Sequence, residues 1–408
     1  MRGATDQGAS TDAPRLLVLA STYPRWSGDP EPAFVHELAR RLTRDFAVTA
    51  LVPHAPGAAR EEWMDGVRVR RFRYAPLPWQ TLVNDGGIVA NLRRRPWKYL
   101  LVPGFLAGLA WNAWRLARRE RPHAVHAHWL IPQGVVAAFV AGRGRRAGLL
   151  VTSHGADLFA LRARPLRWLK AWVARRADRV TVVSAAMVAE LQRLGVDGGG
   201  VEVRPMGVDL RTRFVPDPSV PRSTGELLFV GRLVEKKGLT HLVAALPAIL
   251  ERRPDCRLTV AGFGPEEDEL RAQARALGVA DRIDFLGPVT QDALPALYRR
   301  ATVFVAPFVQ AASGDAEGLG LVMIEAAGCG CPVVASDLPA VRDVLDERVP
   351  PGDPSALAAH LLAVLAQDPE TRARRAEAVR ARLLERFDWQ AVAAGYAQVL
   401  RQLRGAGS

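Results

Sequence analysis

The chain of 408 residues contains only three cysteines, Cys256, Cys329 and Cys331. Cys329 and Cys331 form a C-x-C pair, which is not a usual zinc-ligand spacing, and no histidine lies close to them in sequence. Neither a disulfide framework nor a zinc site is expected, and small buried thiols in a reducing cytosol fit better. The G-x-x-x-x-G-K-[ST] loop is also missing, so no phosphate is held in the P-loop manner. No helix-turn-helix, RNP or zinc-finger pattern is present, which counts against nucleic-acid readout. No secretory signal opens the chain. Residues 1–14 are polar and rich in small residues, and read as a disordered tail. A long uninterrupted hydrophobic run is lacking too. The nearest, Trp97 to Trp114, is broken by Lys98, Pro103 and Asn112 and has arginines on both flanks. A buried or interfacial helix is expected there, not a membrane span.

What is present is a soluble globular composition, 49% hydrophobic and 24% charged, long enough for two cores. The net charge of +13 is unevenly placed. Residues 1–221 hold 33 basic and 18 acidic side chains, a net of +15, while the remaining 22 and 24 nearly cancel. An arginine-rich composition accounts for the abundance of Arg over Lys but not for this asymmetry. It points the first half toward an anionic partner, either an acidic membrane surface or nucleic acid.

Short apolar runs alternate with helical spacings along the chain. Arg15–Ala20, Phe46–Val52, Pro122–His128, Leu149–Ser153 and Val180–Ser184 read as strands of one parallel sheet. Around residues 214–225 the composition shifts to Pro, Ser and Asp. A second alternation follows, with strands at Glu226–Val230, Cys256–Val260, Arg282–Leu286, Ala301–Pro307 and Pro332–Ala335. The expected class is α/β with two Rossmann-like domains facing across a cleft. The boundaries are a tail over 1–14, a first domain over 15–215, a linker over 216–225, a second domain over 226–386, and a C-terminal helix over 387–408. Ligands of such sheets bind beyond the carboxyl ends of the strands.

Polar clusters fall where strands have just ended. Glu317 and Glu325 straddle a glycine-containing loop and a helix start, so backbone amides and a helix dipole point toward an anion. Surface glutamates on a capped helix are the plain alternative. Gly231-Arg232…Lys237-Gly238 supplies guanidinium and ammonium groups suited to phosphate, or else a solvated helix start. Gly262-Phe-Gly264-Pro265 is a tight turn that permits close backbone approach to a ligand. His154-Gly-Ala-Asp157 either hydrogen-bonds a substrate hydroxyl or caps its own turn. His126 and His128 share a strand face, as structural or acceptor-side groups or as two ligands of a metal whose third ligand is not evident.

Taken together, these motifs resemble the retaining glycosyltransferases of family 4, with the GT-B fold, over nearly the whole chain from Arg15. The Glu-x7-Glu motif is matched by Glu317 and Glu325, the diphosphate grip by Arg232 and Lys237, and the Gly-x-Gly-Pro turn by Gly262 to Pro265. The element lining the nucleobase is matched by Leu286-Gly-Pro-Val289, and the His-Gly-x-Asp motif by His154 to Asp157. The resemblance implies that Glu317 holds the donor sugar, Glu325 the ribose, and Arg232 and Lys237 the leaving diphosphate. Amides at Gly318, Leu319, Gly320 and Leu321 add to that grip, Gly264 and Val289 belong to the nucleotide side, and His154 contacts the sugar or its developing positive charge. It implies a C-terminal helix crossing back to the first domain. It also implies a nucleotide-sugar donor, a glycan or lipid-linked acceptor, no metal or other cofactor, and no nucleic acid. The expected location is cytoplasmic, peripheral at the inner face of the membrane.

Two stretches depart from the family pattern. The first βα loop, which the resemblance sets near the donor phosphates, has only Gly28 to bind there where adjacent glycines are usual, and Asp346–Val349 replaces a longer loop and strand. A basic nucleic-acid-binding α/β protein, or another GT-B enzyme such as a nucleotide-sugar epimerase or a phosphorylase, are the competing readings. A phosphorylase would need a pyridoxal lysine and a much longer chain.

Overall fold

Runs such as Leu16–Leu19, Leu149–Val151 and Leu227–Phe229 are apolar at every position and buried on both sides. Strands of that kind are stable only inside a parallel sheet with helices on both faces. A computed structural model, describing residues 13–403 apart from 30, 85–86, 143, 160–161, 197–199 and 313, builds two such sheets. The tail expected over residues 1–14 lies, up to residue 12, outside the described residues. The two units divide at Val183/Ser184, Ala186/Met187, Arg204/Pro205 and Val392/Ala393.

In the first unit the order is β1 (Arg15–Leu19), α1 (Phe34–Leu42), β2 (Ala47–Pro53), β3 (Glu61–Met64), β4 (Val67–Phe72), α2 (Ile88–Arg94), α3 (Val102–Glu120) and β5 (Ala124–His128). Then come α4 (Val135–Val140), β6 (Gly148–Ser153), α5 (Ala156–Phe159), α6 (Arg164–Arg176), β7 (Arg179–Val182), α7 (Ala185–Arg193) and β8 (Val201–Val203). The sheet order is β3-β4-β2-β1-β5-β6-β7-β8, parallel except for β3. Strand β3 is not expected from its Glu-Glu-Trp-Met sequence. It pairs with β4 across Asp65-Gly66, both at positive φ, as in a primed hairpin turn.

The interrupted apolar run from Trp97 is divided between a 3₁₀ turn, Pro96–Leu101, and α3. Phe105, Leu109, Ala113 and Leu116 form the buried stripe of α3. Gly104 and Gly108 sit on that side because a Cβ there would meet the carbonyls of Tyr74 and Arg73 at 2.4 and 2.7 Å. The opposite side exposes Trp111 and Trp114, and Leu100 just before it is 82% exposed. Helix α4 packs against both α3 and α6, so all three lie in one helical layer. No helix among the described residues is long and apolar enough to cross a membrane.

The second unit has β9 (Glu226–Val230), α8 (Leu239–Arg252), β10 (Arg257–Ala261), α9 (Glu267–Ala276), β11 (Ile283–Gly287), α10 (Leu294–Arg300) and β12 (Val303–Ala306). It continues through α11 (Leu321–Gly328), β13 (Val333–Ala335), α12 (Pro354–Ala366) and α13 (Pro369–Phe387). Its order, β11-β10-β9-β12-β13, is wholly parallel. Leu227, Phe229, Leu242, Leu246, Leu258, Val260 and Leu361 meet in its core. Burying each of these is worth about 2 kcal/mol, and Phe229→Ala should cost about 3–5 kcal/mol.

Residues 216–225, read as a linker, lie within this second unit. Arg222 donates to the carbonyls of Tyr298, Ala301, Cys329 and Gly330. The shortened stretch Asp346–Val349 still reaches the sheet edge. Val349 bridges Ser336, with Val349 N–H donating to Ala335 O at 3.0 Å and Asp337 N–H donating to Val349 O at 2.7 Å. The last helix, α14 (Trp389–Gln402), contributes Ala393 onward to the first unit.

Both sheets reverse their winding once. The reversal lies between β1 and β5 in the first unit and between β9 and β12 in the second. Loops leaving neighbouring strands in opposite directions open a crevice there, where ligands of doubly wound sheets bind.

Candidate functional site

The loops after β9 and β12 carry the second unit's site. Residues 231–238 turn back against the chain after β12, and Gly238, at φ +65°, lies so near Pro307 O that a Cβ would fall 1.8 Å from it. Val309 N–H donates to Lys236 O at 3.0 Å, and Ala312 N–H donates to Glu235 at 2.7 Å. These bonds strap the two loops together. Lys237 Nζ then stands 2.7 Å from Glu317 Oε2 and 4.6 Å above the Phe308 ring. Lys236 Nζ stands 3.2 Å from Asp315. Arg232 is exposed on the same loop.

Burial alone would raise the Glu317 carboxyl. Lys237, Lys236 and the Gly320 N–H outweigh it and hold the group at about 2. Gly320, at φ +72°, is the residue from which α11 starts, and Gly318 and Leu319 lead into it. The first amides of α11 therefore follow directly on an ionised carboxylate and two ammonium groups. Glu325, one turn further along α11, is the opposite case. Burial raises its carboxyl to about 7, against the lowering influence of the Tyr298 hydroxyl, which donates to it at 2.9 Å, and of Arg213 and Lys237.

The glycine turn is packed closely against its neighbours. A Cβ on Gly264 would meet Leu233 O at 2.2 Å, and one on Gly262 would meet Gly231 O at 1.8 Å. The glycines let neighbouring loops touch one another. Gly231 N–H donates to Ala261 O, Leu233 N–H to Phe263 O and Gly262 N–H to Gly287 O, so the ladder runs on past the strand ends. Through it the loops bearing Arg232, Gly264 and Val289 lie side by side. A cavity of about 750 Å³ adjoins them, lined by Glu235, His241, Glu266, Glu269 and Gln310 among others, and none of the motif residues lines it.

The first unit's switch point holds Gly28 and the histidines. Gly28, at φ +80°, sits in a loop closed by Asp29, which accepts from the Arg25 side chain and backbone. His126 and His128 are buried, their rings 4.2 Å apart. His126 Nε2 shares a hydrogen bond of 2.7 Å with Thr152 Oγ1, and Tyr396 stacks on its ring. His128 Nδ1 shares one of 2.9 Å with His154 Nε2, the two rings stacked. Phe34 and Trp129 pack on the His154 ring. Burial pushes His126 and His154 down to about 3 and lowers His128 as well, with the neighbouring imidazoles adding to the effect on His126 and His128. All three rings are therefore neutral. Asp157 accepts from Leu130 N–H at 2.6 Å and Ser153 Oγ at 2.8 Å, fixing the turn that carries His154.

Sequence reasoning paired Lys237 with phosphate and not with Glu317, and missed Tyr298 and the His128–His154 contact. Tyr298 lies 27 residues from Glu325 on another helix, and no local signal joins them.

Two family descriptions cover most of the chain. "Glycosyl transferases group 1" matches residues 214–382, and "Glycosyl transferase 4-like domain" matches residues 32–207. The chain is 33% identical over 315 residues to a glycogen synthase of Mycobacterium tuberculosis, covering 72% of each. It is 32% identical over 380 residues to a phosphatidyl-myo-inositol mannosyltransferase of the same species, covering 90% of this chain and 91% of that one. Among solved structures, a sucrose-phosphate synthase from Thermosynechococcus elongatus superimposes with a TM-score of 0.75 at 24% identity, over 95% of this chain and 99% of that one. The Anabaena protein HepE, solved with UDP and glucose, gives 0.70 at 20% identity, over 96% and 100%.

Proposed function

The chain belongs to the family 4 glycosyltransferases of GT-B fold, and from that premise we propose that it moves a hexosyl group from a nucleoside-diphosphate sugar to a lipid-linked or polysaccharide acceptor, with retention and without a metal. The observation that carries this reading is the Lys237–Glu317 pair beside the start of α11. Within the pair each charge neutralises the other. A diphosphate offers Lys237 a better partner, with Arg232 and the amides of Gly318 to Leu321 completing the grip. Glu317, released from the lysine, accepts hydrogen bonds from the donor sugar. Glu325, with one oxygen engaged by Tyr298, takes the ribose. Val289 and Gly264 are assigned to the nucleobase side, and Gly28 to the donor phosphates.

Breaking the glycosyl–phosphate bond leaves negative charge on the diphosphate, which the lysine, the arginine and the helix dipole stabilise. The sugar passes through a state with cationic character. His154 is assigned to this step because a neutral imidazole adds no repulsion and can accept a hydrogen bond. The acceptor hydroxyl attacks from the face the diphosphate leaves and gives its proton to the departing phosphate oxygen, which preserves the configuration.

The acceptor class is supported by the first unit's helical layer. Trp97, Tyr99, Leu100, Trp111 and Trp168 are exposed there, among exposed arginines at 93–95, 115, 118, 119, 162, 164 and 167. Apolar tips amid arginines suit the headgroup region of an anionic leaflet. These exposed groups support a peripheral position at the cytoplasmic membrane surface.

The test is a thermal-shift screen of UDP-, GDP- and ADP-sugars followed by a hydrolysis assay. At least one should raise Tm by about 2 °C or more at millimolar concentration. Glu317→Ala should lower turnover about 10²–10³-fold. Silence across the screen, or full transfer by Glu317→Ala, removes the proposal.

A further inference from the structure

A second cavity of the second unit, about 440 Å³, lies between edge strand β13 and helices α12 and α13. It opens beside the shortened stretch, whose Asp346 and Glu347 line one wall, and only Val349 bridges the sheet edge nearby. Val333, Val364 and Val379 supply an apolar wall, and Arg372, Arg375 and Arg382 a basic one. Glu347 lies 3.4 Å from Arg375, and Asp346 pairs with Arg382.

Arg372 has no such partner. Its Nη1 is shut off from solvent and meets no acceptor. The charges around it are two more guanidiniums, Arg253 and Arg222, and one carboxylate, Asp368. Asp368 already caps α13 by accepting from Thr371 N–H. Arg253 is matched by Asp255 at 2.9 Å. Arg222 gives its hydrogen bonds to four main-chain carbonyls, which satisfy its donors but carry no net charge. Arg222 and Arg372 thus leave nearly two positive charges facing one weakly placed carboxylate. A guanidinium cannot shed its proton to relieve this. An uncompensated, partly buried cation is a cost that a bound anion removes.

We propose that this cavity binds a phosphate group through Arg372, as a ligand site separate from the donor site. Phosphate suits it because its anionic oxygens can accept from Arg372 and its charge more than cancels the surplus of about one. The phosphate is either free or the head of an apolar molecule whose body covers Val333, Val364 and Val379.

Titration calorimetry with inorganic phosphate and with octyl phosphate tests this on the full chain. Three proteins are compared: wild type, Lys237→Met to silence the donor site, and Arg372→Leu. Saturable binding should persist in Lys237→Met and weaken at least tenfold in Arg372→Leu. Octyl phosphate binding tenfold tighter than phosphate identifies an amphiphilic ligand, and equal affinities identify the free anion. Without ligand, Arg372→Leu should melt no lower than wild type, because it removes an unpaired charge. Arg372→Gln serves the same comparison if the leucine variant does not fold. No saturable binding to Lys237→Met up to about 10 mM of either ligand, or equal binding by the Arg372 variants, overturns the proposal.

Discussion

The two switch points are built from opposite chemistry. In the first unit His126, His128 and His154 are packed ring on ring and all neutral. In the second, Lys237 and Glu317 are held ionised 2.7 Å apart, beside a helix start. The same topology therefore offers one neutral wall and one charged one. A neutral wall suits a sugar acquiring positive charge, and a charged pair suits the exchange of one counter-ion for another. The contrast recurs between Glu317, just before α11, and Glu325, within it, whose carboxyls are pushed in opposite directions.

That last contrast can be broken by stability measurements. Glu325 sits at about 7 when folded, above its ordinary 4.5, so its favourable contribution is complete below pH 4.5 and is lost as pH rises through 7. Glu325→Gln should match wild type near pH 4 and be more stable at pH 8 by about 3 kcal/mol. Glu317 is depressed to about 2, so its contribution is present above pH 4.5 and is lost as pH falls toward 2. Glu317→Gln should be less stable than wild type at pH 7 by about 3 kcal/mol and converge with it in acid. Denaturant melts of both variants across pH check the signs, and parallel curves would erase the distinction.

The neutral wall predicts smaller effects. His154→Ala should lower kcat about 10²-fold with the affinity for nucleoside diphosphate unchanged. His128→Asn, which disturbs only the orientation of His154, should cost about tenfold, roughly 1.4 kcal/mol. Neither ring titrates in the physiological range, so kcat should show no imidazole limb between pH 5 and 8. Appearance of such a limb would mean that the wall carries charge. The smallest effect is expected at the helical layer, where Leu100→Asp with Trp111→Asp should weaken sedimentation with anionic liposomes about tenfold at low salt.

The sequence makes the charged wall far easier to see than the neutral one. Glu317, Glu325, Arg232 and Lys237 each follow a strand, and charged groups at strand ends stand out against apolar runs. Lys236 and Lys237 are two of only four lysines in the chain. His128 was visible, but its bond to His154 crosses between β5 and β6 and is set by register, which local pattern does not encode. Tyr298 was hidden because its contact with Glu325 joins α10 to α11, a helix packing that local pattern does not encode. Strand β3 escaped notice because its Glu-Glu-Trp sequence is mostly exposed, although Asp65-Gly66 was a hairpin signal in plain view. At Gly262 and Gly264 the neighbouring loop comes close, a contact that the local sequence does not name. Gly104 and Gly108, inside the apolar run, likewise serve a helix that crosses over β4 and its exit.

The central claim is that phosphate replaces Glu317 as the partner of Lys237. Titration calorimetry of UDP, GDP and ADP against wild type and Lys237→Met tests it most directly. The account predicts micromolar binding of at least one nucleotide to wild type and a loss of about 10²–10³-fold in Lys237→Met, or roughly 3–4 kcal/mol. Equal affinity for both proteins would contradict it.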